Sequence, residues 1–154
     1  MTPPFIVIRR FPYEEPHHLN LVISASNGAA SGKLEYYCNA EDLVEIGRKL
    51  AAFPANGKDT YCYELGSPLT QDKFAFHFAL QAISLDSTGH CAIQLTMNNN
   101  RPPPDNLSCC FSFRVEPAAI NRLGHLLRIF GELKHSELRW SASDGELVAR
   151  LERQ

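Results

Sequence analysis

Residues 43–53, LVEIGRKLAAF, return in outline at 120–130 as INRLGHLLRIF, and each copy carries a glycine, Gly47 or Gly124, where a helix interior tolerates one least. Superposed, the two stretches match an aliphatic residue at Leu43 and Ile120, another at Ile46 and Leu123, then the glycines, then Leu50 with Leu127 and Phe53 with Phe130. The spacing i, i+3, i+7, i+10 is one stripe of a helix. A glycine costs about 1 kcal/mol against alanine in a helix interior, so the pair costs roughly twice that and packing must offset it. Close approach is the compensation that geometry offers, because two helices lying side by side come nearer where a side chain is missing.

Each helix is preceded by strands. FIVIRR (5–10) is a β-branched run closed by Pro12, HLNLVISAS (18–26) alternates Leu19, Leu21 and Ile23 with polar residues, and KLEYYCN (33–39) follows the turn SNGAASG. Asn39 can then cap a helix over about 40–53, with Asp42 biasing its first turn and Pro54 stopping it. A second run of strands opens with the short aromatic DTYCYEL (59–65). KFAFHFALQA (73–82) puts Phe74, Phe76, Phe78 and Leu80 on one face, and HCAIQLTM (90–97) and LSCCFSFRV (107–115) alternate in the same way. Pro117 opens the second helix, which Gly131 ends near residue 130. The tail, ELRW and GELVARLE around SASDG, reads as a hairpin, with a short C-terminal helix as the alternative.

The expected architecture is a single α+β domain over residues 1–154, a mainly antiparallel sheet with two amphipathic helices packed on one face, in the order β-β-β-α-β-β-β-α-β-β. Its core would set Phe74 to Leu80, Ile93, Leu95, Phe111 and Phe113 against Leu43, Ile46, Leu50, Leu123, Leu127 and Phe130.

Bulk properties limit the function classes. With 15 Lys and Arg against 17 Asp and Glu the net charge is −2, and no basic stripe is present to bind phosphates, which argues against nucleic acid. The apolar runs are too short for a membrane-spanning helix. The N-terminus reads as mature protein, and five cysteines without a secretory signal suit a reducing cytoplasm. Four of them sit in apolar strand patterns, Cys38 being the exception, and no spacing among them suggests a metal site.

Opposite the phenylalanine face, the pleat leaves a polar, weakly charged surface on which His77, Gln81, His90, Gln94, Thr96 and Arg114 are the candidate binding residues. It reads either as a plain solvated sheet surface or as a partner-binding face on rigid strands. His77 and His90 flank one hairpin, and a pocket near them would make the chain a small enzyme or ligand-binding protein. No catalytic motif, cofactor motif or metal-ligand set is recognisable. GAASGK (28–33) has too few residues between its glycines for a phosphate loop. RPPPD (101–105) reads as a stiff hairpin loop, and Tyr13, Tyr36, Tyr37, Tyr61 and Tyr63 suit an interface or strand packing equally.

The succession GKLEYYCNAEDLVEIGRKL, FAFHFALQAISLDSTGHCAIQLTM, CCFSFRVEPAAINRLGHLL, spanning roughly 19–133, resembles small bacterial proteins of the wall-associated-protein immunity type and related bacterial domains. That resemblance implies a non-catalytic cytosolic protein that binds and neutralises a partner toxin. The expectation is therefore a protein-binding domain without cofactor, with a small enzyme near His77 and His90, or a homodimeric structural protein, as alternatives.

Overall fold

Asn39 accepts a hydrogen bond from the Asp42 amide at 2.9 Å through its side chain, and from that cap α1 runs over Ala40–Ala51. Glu41 and Asp42 stand at its positive end and Arg48 and Lys49 at its negative end, as the helix dipole favours. The second helix, α2 (Pro117–Phe130), has no side-chain cap and starts on Pro117, whose missing N–H leaves one orphan donor fewer.

In the computed structural model, which describes residues 4–15 and 17–149, β1 (Phe5–Glu14), β2 (His18–Ser26) and β3 (Ser31–Cys38) precede α1. Strands β4 (Thr60–Gly66), β5 (His77–Ser84), β6 (Cys91–Asn98) and β7 (Ser108–Val115) lead to α2, followed by β8 (Glu137–Ser141) and β9 (Gly145–Val148). The α+β class, the antiparallel pairing and the expected succession hold, the second block having four strands because DTYCYEL forms one of its own. The tail is a hairpin, not a helix; residues 150–152 of that reading lie outside the described residues. Among the described residues no helix is long and apolar enough to cross a membrane.

The strands divide between two sheets. Sheet A has the order β3-β2-β1-β8-β9 and sheet B the order β4-β5-β6-β7. Alternation along a strand tells which side chains share a face, not which distant strand lies alongside, and the pairing of β1 with β8 joins Phe5 to Ser141 across nearly the whole chain. The inner faces of both sheets and the apolar stripes of both helices merge in one core. Tyr36 of sheet A stacks on Phe78 of sheet B at 4.5 Å, and Trp140 of β8 meets Phe113 of β7 at 5.8 Å. The Trp140 indole N–H donates to the Ala119 carbonyl, which ties sheet A to the first turn of α2.

Two expected elements shift. KFAFHFALQA becomes a strand only from His77, so Phe78 and Leu80 are buried as expected, Phe76 is partly buried and Phe74 is 53% exposed in the preceding loop. Strand β1 runs past Pro12 to Glu14 through a register irregularity; β8 has already ended opposite Arg9, so the proline costs that edge no ladder bond.

The glycines meet. A Cβ built on Gly47 would lie 2.5 Å from the Arg128 amide nitrogen and 2.6 Å from the Gly124 carbonyl oxygen, and one on Gly124 would lie 2.7 Å from the Gly47 oxygen. No side chain fits there, so the helix backbones touch, and the dispersion attraction between them offsets the propensity cost. Asn121 of α2 completes the seam by donating to the Leu50 carbonyl at 3.0 Å, which also accepts from the Phe53 amide, and to the Phe53 carbonyl at 2.6 Å just past the end of α1.

Candidate functional site

The outer face of sheet B follows from its register. Cross-strand rows run Cys62–Gln81–Gln94–Ser112 and Glu64–Ala79–Thr96–Cys110. Gln81, Gln94 and Thr96 are neighbours on this face and half-buried, while Arg114 and His90 line an open depression of about 340 Å³ at one end of it. His77 lies at the other end. Its imidazole Nε2 sits 2.6 Å from Glu64 Oε2 and the residue is buried.

The pairing of His77 with His90 is not borne out by this geometry. His90 precedes β6, whose first residue Cys91 lies opposite Ser84, so about seven residues of strand, roughly 23 Å at the usual rise, separate the two histidines. His90 instead bonds Asp86 at 2.7 Å within its own turn. Hydrogen bonds from Thr88 and then His90 hold the Asp86 carboxyl well below the usual carboxylate range.

The cysteines also rearrange. Cys38, expected to be the odd one, is buried, and its thiol is pushed up to about 12 by burial and by nearby Asp42; Cys62 and Cys110 are exposed on sheet B. Burial likewise raises Tyr63, whose hydroxyl donates to Asp42 at 2.8 Å. All five thiols are free, and among the described residues no three His, Cys, Asp or Glu side chains gather as a metal site.

Sheet A presents the face that the sequence reading did not single out. Phe5, Val7, Arg9 and Phe11 of β1 point outward between Asn20, Val22 and Ser24 of β2, with Lys33, Glu35 and Tyr37 of β3 beyond them. Phe11, Tyr13 and Tyr37 are 38, 62 and 41% exposed, and Tyr13 and Tyr37 meet edge to face at 5.8 Å. An open depression of about 520 Å³ lies among Phe11, Asn20, Val22, Lys33 and Glu35. On the β8–β9 side the surface is ionic: Glu137 is buried between Arg9, at 2.9 Å, and Arg139, which also reaches Glu146 at 3.0 Å. These bonds raise the Arg139 guanidinium above its ordinary value, Glu137 contributing most.

Three cations on this face, Arg9, Lys33 and Arg139, are thus interspersed with three anions, Glu35, Glu137 and Glu146. The alternation of FIVIRRFPYE was a signal for it, since Ile6, Ile8 and Arg10 turn inward and leave Phe5, Val7, Arg9 and Phe11 outward.

No protein-family model matches the chain, and no curated protein matches it. Among solved structures, that of the plant transcriptional regulator PBF-2 is similar over 85% of this chain and 76% of that one, at 10% identity and a TM-score of 0.47, a distant likeness.

Proposed function

We propose that this chain is a non-catalytic protein-binding domain whose contact surface is the outer face of sheet A. The observation that carries the reading is the exposure of Phe11, Tyr13 and Tyr37 on a rigid sheet among charges of both signs. Large apolar rings left in water contribute little to folding, whereas aromatics and arginine dominate the binding energy of protein interfaces. The equal number of cations and anions suits a protein surface of complementary mosaic rather than a phosphate backbone. A toxin domain in the bacterial cytosol, neutralised by being covered, is the partner class favoured by the immunity-type resemblance. The two histidines lie too far apart to share a pocket, which removes the motive for the enzyme reading built on them.

The test begins with capture of a partner from native extract, its identification, and titration of the two purified proteins. Tyr13→Ser/Tyr37→Ser is expected to weaken that complex about 100-fold, and Gln94→Ala/Arg114→Ala on sheet B to leave it within about threefold. The opposite pattern would transfer the site to sheet B, and equal losses would overturn the assignment. Sedimentation of the chain alone identifies a second copy as occupant if a dimer forms and Tyr37→Ser dissociates it.

A further inference from the structure

We infer that the cleft between the β4–β5 and β6–β7 connections binds a small organic anion carrying a flat apolar group. Two hollows of about 610 and 350 Å³ adjoin, the larger between the two connections and the smaller between them and β3 of sheet A, with Ala75 and Arg101 in the walls of both. Each is of the size that holds a small ligand. Lys73 and Arg101 line the larger, and Lys33 and Glu35 the smaller, so three cations face one carboxylate. Among the described residues none of these three cations belongs to an ion pair. The surplus positive charge calls for an anion. The larger hollow also exposes Leu69 and Phe74, each 53% accessible, which offers a planar group an apolar wall and a ring to stack on.

The walls are pre-formed. The Asn100 side-chain amide donates to the carbonyls of Ser67 and Phe74 at 2.8 and 3.0 Å, pinning one connection to the other. Asn98 accepts from the Asn100 amide at 2.8 Å, and Asn99 accepts from Leu107 and Arg101 at 3.0 and 3.2 Å, so the run NNN fixes the backbone that presents Arg101. Lys73 and Asn100, one on each wall, adopt left-handed backbone with φ of 56° and 52°. Such backbone in a non-glycine residue is uncommon and persists where surrounding structure enforces it, here at the two walls of a cationic cleft. The guanidinium of Arg101 offers a planar fork to a carboxylate or phosphate, and Lys73 a second, compact charge.

The experiment is a backbone-amide NMR titration of the full chain with four probes: adenosine monophosphate, a naphthalene carboxylate, neutral adenosine and inorganic phosphate. At least one of the two organic anions is expected to shift amides of 67–75 and 98–102 saturably, about tenfold more tightly than adenosine or phosphate alone. Which of the two binds better identifies the head group as phosphate or carboxylate. Lys73→Asn, which keeps a residue suited to positive φ, and Arg101→Gln are each expected to weaken binding about tenfold with the spectrum otherwise that of the folded chain. Shifts elsewhere, no saturation, adenosine or phosphate binding as tightly as the organic anions, or variants that bind like the parent would each overturn the proposal.

Discussion

The helix seam and the outer face of sheet A are opposites in how they use small and large side chains. At the seam, side chains are removed: Gly47 and Gly124 leave no room for a methyl group, and the neighbouring Leu50, Leu123 and Leu127 are buried. On sheet A, three rings are kept where smaller polar residues would be more soluble, and they stand in water. Packing explains every residue of the first region and few of the second. Those exposed rings, gathered on paired strands, are what the proposed contact surface rests on.

Substitutions in the two regions should differ in cost by a graded series. The largest effect is expected at the seam: Gly124→Val forces the helices apart and should lower unfolding free energy by about 4 kcal/mol in urea denaturation, in the exceptional range for one substitution. Next is Arg10. It points inward from β1, donates to the carbonyls of Leu133 and His135 and pairs with Glu15 at 2.5 Å, so Arg10→Ala should cost about 3 kcal/mol by stranding a carboxylate and two acceptors. Its neighbour Arg9 points outward, and because Glu137 keeps Arg139, Arg9→Ala should cost less than about 1 kcal/mol by the same measurement. Adjacent arginines thus report the two sides of one strand.

The smallest effect is expected in the β5–β6 turn. The Asp86 carboxyl has a depressed value in the folded chain, so its contribution to stability is present above the unfolded value near 4 and fades as the pH falls through the folded one. Asp86→Asn should therefore lower the melting temperature slightly at neutral pH and flatten the acid limb, the variant and parent curves converging as the pH falls through the folded value.

Much of this contrast could be read from the chain before the structure. The seam was legible because an i, i+3, i+7 stripe with a repeated glycine has few explanations, and the Asn39 cap and Pro117 start are local chemistry. The division into two sheets was not, because β1 pairs with β8 through residues more than a hundred positions apart and nothing in FIVIRR announces Leu138. Phe74 misled for a related reason: alternation continued for two steps beyond the point where Gly66 stops pairing at His77. The sheet A face was not legible because Phe11 and Tyr13 flank Pro12, which reads as the end of a strand. His77 and His90 looked close because both flank one hairpin, but they occupy its opposite ends.

A single denaturation curve decides whether the rings of sheet A are surplus to folding. Tyr13→Ser/Tyr37→Ser removes the exposed ring pair, which meets edge to face across β2, and such an aromatic pair is worth about 1 kcal/mol. The expected result is a urea transition displaced by no more than that, with the same slope as the parent. A loss of about 3 kcal/mol or more, on the scale of the buried Arg10 clamp, would show that these rings hold the fold, and sheet A would then have no surplus surface to offer a partner.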